Sequence, residues 1–216
     1  MSTVALLRKT DESERSPEVR GNVLFDLPRI ERAVREMLFA LGEDPDRDGL
    51  VETPRRVARA YVELLGGLRE DPAQHLGRVF EHRTENDDLV LVRDIEFSSL
   101  CEHHLLPFTG TAQVAHLPAK GRVVGLSKIA RTVDVFARRP QLQERLTADI
   151  ADAISRHLEA RAVAVVVRAE HLCLRMRGAA KRGADMVTTA FRGEFERNQS
   201  LRVEVLGLLR PHGGLC

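Results

Sequence analysis

Two short stretches carry most of the reactive chemistry in this chain: Cys101-Glu102-His103-His104, and His171-Leu172-Cys173 about seventy residues later. Together they offer two thiolates and up to three imidazoles. Soft sulfur combined with imidazole nitrogen is the ligand set that suits zinc. If Cys101, His104 and Cys173 hold the metal, a fourth tetrahedral position stays open for water, as in catalytic zinc sites. His103 and His171 are then left beside the ion, free to move protons, and the chemistry is zinc-assisted hydrolysis. A disulfide between Cys101 and Cys173 is the competing reading. It fits poorly with a chain that shows neither a signal peptide nor a dense cysteine framework. The third cysteine, Cys216, reads as a solvated thiol, since a prenylation signal places its cysteine fourth from the end.

Composition sets the frame for these residues. A chain of 216 residues has room for one sizeable domain or a domain plus a helical appendage. The formal net charge of +1 gives no global reason to expect nucleic acid or an anionic membrane as partner. No apolar run approaches a bilayer span, so a soluble cytoplasmic protein is expected.

The elements that must position the reactive residues follow from periodicity. Residues 1–22 read as a disordered leader, 23–87 as an N-terminal helical region, 88–209 as the catalytic domain and 210–216 as a flexible tail. In the helical region Asp26 can cap a first helix with Pro28 in its opening turn. Ile30, Val34, Met37, Leu38 and Leu41 form its apolar face up to Gly42. Thr53-Pro54 supplies a cap and a first-turn proline for a second helix lined by Val57, Tyr61, Leu64 and Leu65, which ends at Gly66-Gly67. From Leu89 the period changes to that of strands: 89–97, 110–117 and 122–125. Ser127 is expected to cap a helix that turns Ile129, Val133 and Phe136 inward. A longer helix starts near Gln141, with Leu142, Leu146, Ile150, Ile154 and Leu158 at helical spacing. Residues 162–171 form the strongest strand, 185–191 another, and the segment from Ser200 fits either a strand or a helix. This order predicts an α+β domain with helices on one face of an antiparallel sheet.

The segments TPRRVA, SLCEHHLLPF, GLSKIAR, QLQERLT, HLCLRMRG and FRGEF occur in this order and resemble GTP cyclohydrolase I over about residues 26–209. The resemblance implies the tunnelling fold, and zinc (Zn2+) on Cys101, His104 and Cys173. It implies attack of a zinc-activated hydroxide at C8 of the guanine ring of GTP. Formate leaves, and an Amadori-type rearrangement then closes the ring to 7,8-dihydroneopterin triphosphate, the first step of pterin and folate biosynthesis.

By the same resemblance His171 donates a proton to N7, and His103 acts in opening the ribose. Glu144 anchors guanine through N1–H and the 2-amino group, a donor pair that a carboxylate can accept together, and Gln143 lies beside it. Ser127, Lys128, Arg131 and Arg177 form a triphosphate clamp, with Arg56 and Arg59 as further contributors. The family often has Lys where this chain has Arg59, and arginine keeps the charge and adds fork geometry. Members assemble as homodecamers, two pentamers with active sites between chains, and an N-terminal segment sometimes serves regulation. Three alternatives remain open. One is a tunnelling-fold paralogue of 7-deazapurine or other pterin metabolism, such as a nitrile reductase with a nucleophilic cysteine. Another is an arrested variant that releases a formamidopyrimidine. The third is a non-enzymatic, zinc-stabilised nucleotide-binding protein.

Overall fold

The computed structural model describes residues 25–77, 79–81, 89–119 and 122–209. The leader 1–22, the tail 210–216 and Cys216 lie outside them. The chain opens with α1 (Leu27–Ala40) and α2 (Thr53–Leu64), followed by a 3-10 turn at Gly66–Arg69 and the single turn α3 (Ala73–Leu76). Asp26 caps α1 as expected, its carboxylate accepting from Arg29 N at 3.0 Å, and Pro28 sits in the first turn. Thr53 does not cap α2. It is the first helical residue, behind Glu52, and no side chain accepts from the first turn.

The apolar stripes of these helices are only partly covered. Val34 is buried, but Met37 and Leu41 on the same predicted face are 55% and 72% exposed. Among the described residues α1 packs mainly against α2, which leaves half of that face without a partner among them.

The rest of the chain is built on an antiparallel core. β2 (Val90–Cys101), β3 (Pro107–Leu117), β6 (Ala162–His171) and β7 (Met186–Gly193) pair in the order β2-β3-β6-β7, and the two-residue β5 (Pro140–Gln141) adds in parallel at the β2 edge. A separate ribbon joins β1 (Val79–Glu81) to β4 (Arg122–Val124). β1 is a strand inside the stretch read as helical from sequence; its pairing with β4 lies more than forty residues away, which local periodicity does not register.

Two helices, α4 (Leu126–Ala137) and α5 (Gln143–Leu158), lie on one face of the sheet. Alternate residues of the strands meet them: Ile95 and Phe97, Ala112 and Val114, Val163, Val165 and Val167. Ile129, Val133 and Phe136 from α4 and Leu146, Ile150 and Ile154 from α5 fill the other side of this core, as their spacing predicted. α4 starts behind Gly125 with no side-chain cap, so Ser127 is its second residue and not its cap. The rest of the chain forms the short turns α6 (Leu172–Arg175) and α7 (Glu194–Arg197) and then α8 (Gln199–Leu208), which resolves the ambiguous C-terminal segment as helix. Phe195 and Val205 pack there against Ala115, Ala162 and Ala164 on the opposite sheet face.

β3 and β6 run close together at Gly110, where a Cβ would come within 1.9 Å of the Arg168 carbonyl oxygen. Any side chain there would push the strands apart near the end that carries the reactive residues. The arrangement is the α+β tunnelling fold that the sequence implied, preceded by its helical region. No helix among the described residues is long and apolar enough to cross a membrane.

Candidate active site

The site is assembled at one end of the sheet by two chain reversals. β2 ends at Cys101, and the chain turns over Glu102–His104 before β3 begins at Pro107. Leu105 N donates to Cys101 O at 2.8 Å, and Cys101 N donates to Leu106 O at 2.9 Å. The reversal needs Leu105 at φ 53°, a left-handed conformation that a leucine adopts at a cost of about 1 kcal/mol. This turn brings His104 back over Cys101, its Nδ1 3.8 Å from the sulfur. It also leaves His103 exposed at the tip, its ring centroid 6.1 Å from that of His104.

The second reversal comes at the end of β6. His171 is the last strand residue, and Cys173 belongs to the α6 turn. The two residues therefore do not project from one strand face, because the chain coils directly after His171. Cys173 reaches the same place by the coil: ligand atoms of Cys101, His104 and Cys173 lie within 4.8 Å of one another. A tetrahedral zinc, ~2.3 Å from sulfur and ~2.0 Å from nitrogen, would space its ligands by about 3.5–3.8 Å. The Cys101–His104 separation already fits that spacing, so the three residues fit a metal ion. Burial pushes the Cys173 thiol up, and the neighbouring Cys101 sulfur adds to the effect. A cation beside the Cys173 sulfur would relieve that resistance to ionising.

His171 is fixed from two sides. It is the cross-strand partner of Phe108, and the two rings stack with centroids 4.5 Å apart and planes 2° from parallel. Its Nε2 lies 2.8 Å from Oε1 of Gln143, the first residue of α5. Burial lowers the His171 pKa, and the charge of nearby Glu144 opposes that shift. Glu144 follows Gln143 in the first turn of α5 and is exposed, so its carboxylate faces solvent at the same end of the sheet. Gln143, by contrast, is 1% exposed.

The cations divide into groups. Arg177 stands at the metal end, with Nη1 2.8 Å from Nε2 of His104. Ser127, Lys128 and Arg131 sit in the first turns of α4, and the far end of that helix leads into β5, which pairs with Leu100 and Cys101. Lys128 is thus roughly 15 Å along the helix from the metal end, at 1.5 Å per residue. One chain does not bring this group to its own metal site. Arg56 and Arg59 lie exposed on α2.

Several supporting residues were not foreseen. Arg145 forms an ion pair with Glu102 inside the metal-binding turn and donates through Nε to Gln141 Oε1 at 2.9 Å. Glu102 N in turn donates to Gln141 O at 3.0 Å. Both contacts tie the turn to the start of α5. The only local hint was the arginine's place in QLQERLT. Arg139, left as a basic loop residue by the sequence reading, donates to Gly67 O, Val135 O and Glu70 O at 2.9–3.0 Å and so fastens the helical region to α4.

Comparison with known proteins agrees with this geometry. The family model for GTP cyclohydrolase I matches residues 30–210. The chain is 55% identical over 186 residues to GTP cyclohydrolase 1 of Desulforamulus reducens, covering 86% of this chain and 98% of that protein. It is 58% identical over 184 residues to GTP cyclohydrolase 1 of Rhodopirellula baltica, covering 85% of this chain and 79% of the relative. The corresponding enzyme of Thermobifida fusca is 57% identical over 186 residues, 86% of this chain and 89% of that one. With matches of this extent on a fold that gathers two cysteines and a histidine beside a held imidazole, the chain belongs to the GTP cyclohydrolase I family.

Proposed function

We propose that this protein is a cytoplasmic, zinc-dependent GTP cyclohydrolase that opens the guanine ring of GTP at C8, releases formate and forms 7,8-dihydroneopterin triphosphate. The observation that carries the reading is the convergence of Cys101, His104 and Cys173 at the sheet end where His171 and Glu144 stand. A zinc ion on those three ligands would supply Lewis acidity that brings a bound water's pKa close to neutral.

The other roles belong to the chain. As water adds at C8, electron density moves to N7, and His171 gives N7 a proton. His103, exposed at the tip of the turn, acts later on the ribose. Glu144 accepts from guanine N1–H and the 2-amino group, a donor pair that adenine lacks. Arg177 meets the triphosphate from the metal end.

Ser127, Lys128 and Arg131 complete the clamp from a neighbouring subunit, with Arg56 and Arg59 contributing charge from α2. The ~15 Å between the start of α4 and the metal end of the same chain favours a shared site. The half-covered faces of α1 and α2 favour a large assembly, here a decamer of two pentameric rings.

The test is removal and return of zinc with paired readouts. Chelation should abolish formate release while circular dichroism stays near native, and added zinc should restore activity. If chelation unfolds the protein, the metal is structural and the hydrolytic reading fails.

A further inference from the structure

Gln143 was expected to lie against the guanine, yet its side chain is buried and faces inward. Its amide nitrogen lies 3.1 Å from Val167 O on β6, 3.0 Å from Met186 O on β7 and 3.2 Å from Thr188 Oγ1. Backbone carbonyl oxygens can only accept hydrogen bonds. The end of the amide that faces two of them must therefore be the NH2. Turning the group over would set Oε1 against both carbonyl oxygens, acceptor against acceptor.

Thr147 and Thr188 close the arrangement. Thr147 Oγ1 donates to Gln143 O at 2.7 Å and lies 2.6 Å from Thr188 Oγ1. With its one proton committed to the carbonyl, Thr147 accepts from Thr188. The hydroxyls thus form a directed chain, and the Thr188 oxygen is free to share the amide hydrogens.

Once the nitrogen is assigned, so is the oxygen. Oε1 carries no hydrogen and lies 2.8 Å from His171 Nε2. The proton of that bond must sit on the histidine. Phe108 holds the plane of the ring, and a 180° turn within that plane would set the ring carbon Cε1, not the other nitrogen, against Oε1.

We propose that Gln143 is a positioning residue that keeps one proton of His171 on Nε2, so that the ring takes up its second proton at Nδ1 and gives that proton to the substrate, returning to the Nε2–H form. The inference rests on the cyclohydrolase reading for what that proton does, but the tautomer itself stands on the hydrogen-bond geometry. It also accounts for a buried glutamine at the mouth of an active site: the carbonyls of β6 and β7 orient the amide, and the amide orients the imidazole.

Neutron diffraction from deuterated, zinc-loaded protein tests this directly. A deuteron on His171 Nε2, directed at Gln143 Oε1, is the expected result. A bare Nε2 overturns the proposal. In parallel, Gln143→Met should lower kcat by roughly 10- to 100-fold with KM for GTP within about 2-fold, zinc content and assembly being unchanged. An unaltered kcat with a raised KM would instead mean that Gln143 touches the guanine, and would also overturn it. If Gln143→Met fails to assemble, the wild-type deuteron decides alone. Failure of the wild-type protein to convert GTP would strike the reaction and leave the tautomer standing.

Discussion

The His171 imidazole lies flat on the Phe108 ring, 4.5 Å between centroids and 2° from parallel, because the two residues are directly opposed on β6 and β3. The pairing joins a fully buried residue of the core to one that reaches the active site. Phe108→Leu keeps an apolar side chain but removes the flat support. It should cost about 1–2 kcal/mol of stability, from lost burial and stacking. It should also lower kcat more than it raises KM. Thermal denaturation beside steady-state kinetics checks both, and a variant with lowered stability but full kcat would show that the stack does not position the ring.

His171→Ala should suppress formate release by about 100-fold or more, the scale of a lost general acid, while zinc remains at the wild-type level. Metal analysis of the purified variant separates the roles. Loss of zinc would make His171 a ligand and undo its assignment as a proton carrier.

Arg145 and Glu102 hold the metal-binding turn from behind. Glu102 lies in the turn between Cys101 and His104, so releasing its carboxylate loosens the frame of two candidate ligands. Arg145→Ala is expected to weaken zinc binding by about 10-fold, as outer-sphere changes do. Competition with a chromophoric chelator measures this, and an unchanged affinity would mean the ion pair is only a surface contact.

Stability should depend on pH through His116. Both ring nitrogens are buried without a hydrogen-bond partner among the described residues, and burial lowers the pKa from 6.5 to about 4. The unfolded chain takes up this proton near pH 6.5, whereas the folded chain resists it until about pH 4. The contribution is therefore neutral above pH 6.5 and becomes destabilising as pH falls, reaching ~2 kcal/mol at pH 5. Urea unfolding at pH 7.5 and pH 5 should show the loss, and His116→Leu should reduce it. Equal pH dependence in both proteins would remove His116 as the cause.

The sequence made the gathering of Cys101, His104 and Cys173 legible because ligand chemistry is a property of residue type: few side chains offer sulfur or imidazole, and these three sit in two dense clusters. The cores of α4 and α5 were legible for a similar reason, since Ile129 and Val133, or Leu146 and Ile150, repeat at the helical period. What escaped depends on distant partners. The orientation of Gln143 is set by Val167 and Met186, 24 and 43 residues away, and Arg139 reaches back 72 residues to Gly67. Thr53 and Ser127 have the chemistry of caps, but α2 begins one residue, and α4 two residues, earlier than a capping role requires. The strand 162–171 was legible and ends where expected, but the turn after it that carries Cys173 to Cys101 leaves no mark in the strand's rhythm.

The most direct measurement is to incubate the zinc-loaded protein with GTP and follow products by mass and absorbance. The account predicts one formate released per dihydroneopterin triphosphate formed, with both lost on chelation. GTP that is bound but recovered unchanged, or a formamidopyrimidine that accumulates with no pterin, would contradict it.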